Sequence, residues 1–267
     1  MQQIFSNLTQ AIAYARGCLR QFGQITETTK WQGIKQTVPL FEVDNVYFRA
    51  CMPSTLIALQ EQVKPDIPWA EDHFMERIGG IPLNPGDQYK NWPGYKDKEF
   101  NDKNFRKDEV FTHTYMERYW PKYAGALYKP FLKNPEGHFR PHSGVRYEFG
   151  DLNDLFNLLA NEPNTRQAYL PVWFPEDTGA VHGGRVPCSI GYHFMRKGED
   201  LHVHYMIRAC DYIRHFRNDI YLTVRLAQWL LGKLQGDIGS KWHGVQLGIF
   251  TMDIVHFHVF APEKNLV

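Results

Sequence analysis

Phe5, Leu8, Ile12, Ala15, Leu19 and Phe22 recur at steps of three and four residues, the spacing that lines one face of an α-helix. The chain is therefore expected to begin with an amphipathic helix. Residues 40–50 (LFEVDNVYFRA) are rich in β-branched and aromatic side chains and read as a strand. Residues 69–78 (WAEDHFMERI) read as a helix that Gly79 and Gly80 stop. Between 82 and 107, Pro, Gly, Asn, Asp and Lys replace the hydrophobic pattern, which predicts an exposed loop insertion. Hydrophobic segments resume on both sides of it, so one domain over 1–267 is expected. In the second half, 151–161 reads as a helix with Leu152, Leu155, Phe156 and Leu159 on one face. Residues 168–174, 186–194 and 201–208 read as strands, the last two joined by a turn at Lys197–Gly198. A long apolar helix over 220–234 precedes one or two strands over 246–260. This order predicts an α/β (α+β) fold, a mixed sheet flanked by helices.

Composition narrows the function classes. With 43% hydrophobic and 22% charged residues the chain has the balance of a folded globular protein. Thirty Lys and Arg against 29 Asp and Glu leave a net charge of +1, so no global field draws it to a nucleic-acid polymer or an anionic membrane. The opening MQQIFSNLTQ lacks the basic and apolar regions of a secretion signal, and no apolar run reaches the roughly 18–20 residues of a membrane span. Cys18, Cys51, Cys188 and Cys210 form no CxxC pair, so free thiols in a reducing cytoplasm are expected.

One thiol stands in a chemical setting. Cys188 lies in RVPCSIGYHF, with Arg185 nearby and Arg208 on the next predicted strand. Positive charge favours a nucleophilic thiolate, while the plainer alternative is a buried core cysteine. Two histidine pairs, His202/His204 and His256/His258, alternate along predicted strands. Without HExxH or a carboxylate at ligand spacing, they give no metal site.

The segment PCSIGYHF…IRACDYIRHFRNDI resembles the active-site segment of the thymidylate synthase family. Its pattern is closest to the deoxycytidylate hydroxymethylases of bacteriophages. Arg208, Asp211 and Asp219 stand 20, 23 and 31 residues beyond Cys188, as in that pattern, and EPNTRQAYLPVWFPED is similar to the family's arginine segment. The likeness is clear over 153–231 and loose elsewhere.

The resemblance implies a thymidylate synthase-like fold and an enzyme that transfers one carbon from 5,10-methylenetetrahydrofolate to C5 of a pyrimidine nucleoside monophosphate. Cys188 is then the nucleophile that adds at C6, Glu71 organises protons and water (Glu76 being the other candidate), and Tyr115 orders the catalytic base region. Arg208 holds the nucleotide phosphate, and Arg166 reaches the phosphate of a partner subunit, which implies a homodimer. Asp211 contacts the base through its main chain or caps a helix. His258 holds the sugar hydroxyl, with His256 as an alternative registration. Gln167 and Ala209 depart from the family's phosphate cradle, a gap that Lys30 or Arg49 would have to fill. The family also continues well beyond that histidine, whereas seven residues follow Phe260 here, so another segment, 82–107 among them, is expected to close the site.

Asp219 stands where the family's uracil-reading asparagine would be. An amide pairs with uracil in both directions, whereas a carboxyl sharing one proton suits the N3 acceptor and 4-amino donor of cytosine. The expected product is 5-hydroxymethyl-dCMP, formed when water quenches an exocyclic methylene. The same-family alternatives are methylation of dCMP or dUMP and hydroxymethylation of dUMP, and the alternative class is a non-catalytic nucleotide-binding protein. A one-residue shift would place Asn218 at the base, and a helix-capping role for Asp219 stays open.

Overall fold

The computed structural model describes residues 3–28, 37–92, 106–107, 110–122, 150–178, 185–236 and 238–267. Its helices are α1 (Leu8–Phe22), α2 (Leu56–Val63), α3 (Trp69–Ile78), α4 (Asp87–Asn91), α5 (Tyr115–Tyr119), α6 (Leu152–Asn161) and α7 (Phe216–Gln235). Its strands are β1 (Ile4–Phe5), β2 (Gln24–Thr28), β3 (Val38–Cys51), β4 (Arg106–Lys107), β5 (Val110–Phe111), β6 (Tyr169–Pro171), β7 (Ser189–Lys197), β8 (Asp200–Asp211) and β9 (Gln246–Phe260).

Seven strands form one mixed sheet in the order β1-β3-β9-β8-β7-β6, with β2 beside β3, and β4 and β5 pair separately. Strands β7 and β8 make the expected antiparallel hairpin, and Gly198 in its turn takes φ 62°, which costs little without a Cβ. Strand β9 is continuous and runs parallel to β8. A parallel neighbour needs a crossover, and α7 lies on it.

Alternation along β8 decides the two faces. Leu201, Val203, Tyr205 and Ile207 are buried towards the helices, while His202, His204 and Met206 point the other way and keep some exposure. Helix α7 buries Phe216, Ile220, Val224, Ala227, Leu230 and Leu234 against this core. Helices α1, α2 and α3 complete the layer. No helix among the described residues is long and apolar enough to cross a membrane.

Local chemistry moves several boundaries. Helix α1 starts at Leu8 because Asn7 is extended and its side chain accepts from the Gln10 amide; Phe5 belongs to β1. The expected strand over 168–174 shrinks to Tyr169–Pro171, since Val172 and Trp173 both turn their amides to the Ile190 carbonyl. Helix α6 begins as expected, with Asp151 and Asp154 forming a capping box. The predicted insertion differs most: its first part is packed rather than exposed. Asn84 is buried, its amide donating to the Phe111 carbonyl and the Glu117 carboxylate, and α4 follows. The rest of that insertion over 93–105, and Lys30, lie outside the described residues.

Candidate functional site

Cys188 sits immediately before β7, where the pairing with β8 shifts register between Ser189 and Gly191. Such a bulge re-aims the side chains around it. Gly191 suits this position because a Cβ would lie 2.7 Å from the Leu170 carbonyl oxygen as well as against the Tyr169 phenol. The Cys188 carbonyl accepts from the Arg208 amide at 2.8 Å, which fixes the two residues side by side on neighbouring strands.

Cys188 is partly buried, and burial pushes its thiol above the ordinary value. Arg208 and Arg185 pull it down; Asp219 and Asp211 push it up. Desolvation and two carboxyls outweigh the two guanidinium groups, and the group rests as a thiol.

Asp219 lies in the first turn of α7. His215 takes the N-cap position, so Asp219 is not the helix cap. Its carboxyl accepts from the Cys210 thiol at 3.6 Å. Burial pushes it up to about 7, with Asp211 adding to the rise and Arg77 opposing it. At neutral pH both protonation states are therefore populated, which places a proton donor and its conjugate base at one position. The neighbouring Asn218 is committed elsewhere: its carbonyl accepts from the Asp66 amide at 3.0 Å, and its amide donates to the Asp66 carboxylate at 2.9 Å. Geometry therefore removes Asn218 as the alternative.

Tyr115 opens α5 behind the Thr114 capping box. Its hydroxyl lies 3.0 Å from Ser189 Oγ, which lies 2.6 Å from the Tyr205 hydroxyl. Three hydroxyls thus line the ground beside Cys188. Burial raises the Tyr115 phenol, and Cys188 and Asp219 raise it further, so all these groups share one electrostatic neighbourhood.

Arg208 has a donor to spare. One terminal nitrogen donates to the Pro187 carbonyl at 3.4 Å and the group lies 5.5 Å from the Trp173 ring centre, yet its buried Nε has no hydrogen-bond partner among the described residues. A buried, unsatisfied cationic donor is costly and is well suited to an anion. Asp211 ends β8 and uses its carboxylate to accept from the amides of Ile213 and Arg214, so its side chain shapes the entry to α7. His258 pairs opposite Asp211 on β9, and its buried Nδ1 also lacks a partner among the described residues. His215 lies close to both, and burial lowers it to about 4. Trp92 stacks on His215 at 4.8 Å between ring centres, bringing the end of the packed insertion to this corner.

Two predicted residues are not brought to this cluster. Glu71 accepts from the Tyr221 hydroxyl at 2.7 Å and pairs with Arg225 at 3.0 Å, which ties α3 to α7 instead. Its alternative, Glu76, lies 3.2 Å from His73 Nδ1 and accepts from the Gln88 amide. Arg166 is exposed, and its carbonyl lies 3.0 Å from His193 Nε2. Sequence reasoning missed Arg77, His73, Ser189, Tyr205 and His215. Arg77 and His73 stand four apart on the predicted helix, a spacing that was legible, but nothing in it said which face turns inward.

Near Asp66 and Asn218, a cleft of about 380 Å³ is lined by Asp66, Pro68, Trp69, Asp72, Gln88 and Asn91. Ile67 completes this lining, the Asp66 carboxylate accepts from Asn218, and the Trp69 indole donates to the Gln88 carbonyl. Among the described residues, the strand pairing brings together one metal-type group, Glu42, Asp44 and His256, rather than the His202/His204 pair. His256 Nδ1 is 2.8 Å from Asp44, which places this exposed histidine in a surface pair. No family model matches the chain, and no curated protein matches its sequence.

Proposed function

We propose that this chain resembles the thymidylate synthases in activity as well as pattern, transferring a one-carbon unit to C5 of dCMP to form 5-hydroxymethyl-dCMP. The observation that carries the proposal is Asp219, a partly buried carboxyl poised at about 7 in the same neighbourhood as Cys188. Protonated, a carboxyl pairs with either pyrimidine. Discrimination arises after sulfur adds at C6 and N3 takes the proton. The cytosine adduct then presents two N–H donors, at N3 and at the 4-amino group, to a carboxylate with two acceptor oxygens. A uracil adduct presents O4, an acceptor bearing the developing charge, and repels it. Mispaired buried polar groups can separate substrates by roughly 10⁴-fold.

The other side chains take roles consistent with their surroundings. Arg208 offers its unpartnered Nε to the phosphate, and His258 offers Nδ1 to the sugar hydroxyl. Phosphate binding would leave Arg208 and Arg185 near Cys188, where they support the thiolate against burial. The Tyr115–Ser189–Tyr205 hydroxyls hold and orient water beside the reacting ring. 5,10-Methylenetetrahydrofolate, when bound, supplies the carbon at the oxidation level of formaldehyde. Asp66, Trp69, Asp72, Gln88 and Asn91 are the residues we assign to hold its pterin. The exposed Arg166 is assigned to the phosphate of a second copy, packed on the sheet face that carries His202, His204 and Met206.

The test is incubation with 5,10-methylenetetrahydrofolate and each of dCMP and dUMP, with product masses read directly. Gain of CH₂O on dCMP is expected; gain of CH₂ with formation of dihydrofolate would make the enzyme a methyltransferase. Asp219→Asn should move relative activity from dCMP towards dUMP. Binding of nucleotide without any product would reduce the protein to a nucleotide-binding module.

A further inference from the structure

The loop 212–215 joins β8 to α7. Asp211 stands at its start, and the Asp219 amide donates to the carbonyl of its last residue, His215, at 2.8 Å. Tyr212 is well anchored: its amide donates to the His258 carbonyl at 2.8 Å, and its ring centre lies 5.8 Å from those of Phe216 and Phe257. The pairing of β8 with β9 ends there, at Asp211 opposite His258. Ile213 is exposed and gives the tip of the loop no apolar hold. Arg214 supplies a polar one.

Its guanidinium reaches to both sides. Nη1 donates to the Asp211 carboxylate at 3.0 Å and to Glu263 at 2.8 Å, and Nη2 donates to the second Glu263 oxygen at 2.6 Å. The group also lies 4.6 Å from the centre of the Phe260 ring. The other Asp211 oxygen accepts from the amides of Ile213 and Arg214 at 2.9 and 3.0 Å. Glu263 belongs to the 3₁₀ turn Ala261–Leu266, which follows β9 and its His258. A forked guanidinium–carboxylate pair fixes geometry as well as adding strength. This one joins residues 49 positions apart, beyond the last pairing of β8 with β9. Two carboxylates already neutralise Arg214, so it is ill suited to hold a phosphate.

We propose that Arg214 and Glu263 are positioning residues for the nucleotide, stapling the loop between Asp211 and Asp219 to the segment beyond His258 so that the base-reading and sugar-holding groups keep a fixed spacing. The proposal rests on the function proposed above. A nucleotide is held at two ends, the base by Asp219 and the sugar by His258. Asp219 moves with the loop and α7, whereas His258 moves with β9. A displacement of about 1 Å between the two halves breaks contacts that each half alone would still make, and can cost about 100-fold. Arg214 and Glu263 act through these groups and do not touch the ligand.

The experiment compares wild type with Arg214→Ala, Arg214→Lys and Glu263→Gln by calorimetric titration with dCMP and with 2-deoxyribose 5-phosphate, a ligand that lacks the base. R214A should weaken dCMP binding at least about 10-fold and the sugar phosphate less than about 3-fold, because only dCMP spans both halves. Guanidinium chloride at millimolar concentration should restore part of the lost affinity. R214K, whose ammonium cannot fork across two carboxylates, and E263Q, which keeps one acceptor oxygen, should fall between. Amide exchange at positions 213 and 214 should quicken in R214A while the amides of β8 stay protected. A merely structural role would weaken both ligands alike and lower the urea midpoint with them. Unchanged dCMP affinity in R214A overturns this inference alone. Wild type that binds no dCMP overturns the function proposed above and this inference with it. Should R214A not fold by circular dichroism, R214K and E263Q carry the same comparison.

Discussion

Replacing Asp219 by asparagine has a consequence for stability that does not depend on any substrate. The carboxyl rises from an ordinary 3.8 to about 7 in the folded chain. Between those values the native state holds a proton that the unfolded state has lost, so stability falls as pH rises through this window. The span is about 3 pH units at about 1.4 kcal/mol each, a ceiling of about 4 kcal/mol. Residual exposure of the side chain reduces this, and about 2–4 kcal/mol is expected. An asparagine side chain keeps the shape and cannot ionise, so D219N should match wild type near pH 4 and exceed it by that amount at pH 8. His215, lowered to about 4, has the opposite slope, adding stability as pH rises from 4 towards 6.5, and is common to both proteins. The difference curve therefore isolates Asp219. Urea unfolding at half-unit intervals from pH 4 to 8 measures it. Parallel curves for the two proteins would refute the buried, half-ionised carboxyl and the base-reading argument built on it.

Other expectations are independent of that result. Cys188→Ala should abolish turnover while leaving the circular dichroism spectrum unchanged; retained activity would exclude covalent addition. Asn218→Ala should cost about 1–2 kcal/mol in urea unfolding through the lost Asp66 bonds, without altering the ratio of dCMP to dUMP activity. Glu71→Gln should cost about 1 kcal/mol or less through the weakened Arg225 pair and leave the pH profile of turnover unmoved; a displaced profile would return Glu71 to the site. Leu230→Ala, at the centre of the α7 contact, should cost about 2–5 kcal/mol by thermal unfolding.

Much of this molecule was legible in its sequence, because its determinants are local. Three- and four-residue steps and glycine stops placed α3, α6, the β7–β8 hairpin and α7 from Ile220 onward, its first turn from Phe216 lying outside the expected range, and strand alternation separated core from open face. The spacing of Cys188, Arg208, Asp211 and Asp219 was also a sequence property, and the strand pairing sets the first two beside each other. What sequence could not decide was environment. Proton affinity depends on how much water a group loses and which charges face it across the fold, so sequence left Cys188 between a thiolate and a buried thiol, and burial raises it towards the thiol. The same physics raised Asp219 and sent its neighbour Asn218 to Asp66. Glu71 and Arg77 share one helix, separated by six positions. Packing of α3 against α7 gave Glu71 to Arg225 and turned Arg77 towards Tyr115, because only the tertiary contact fixes which face of a helix is inside.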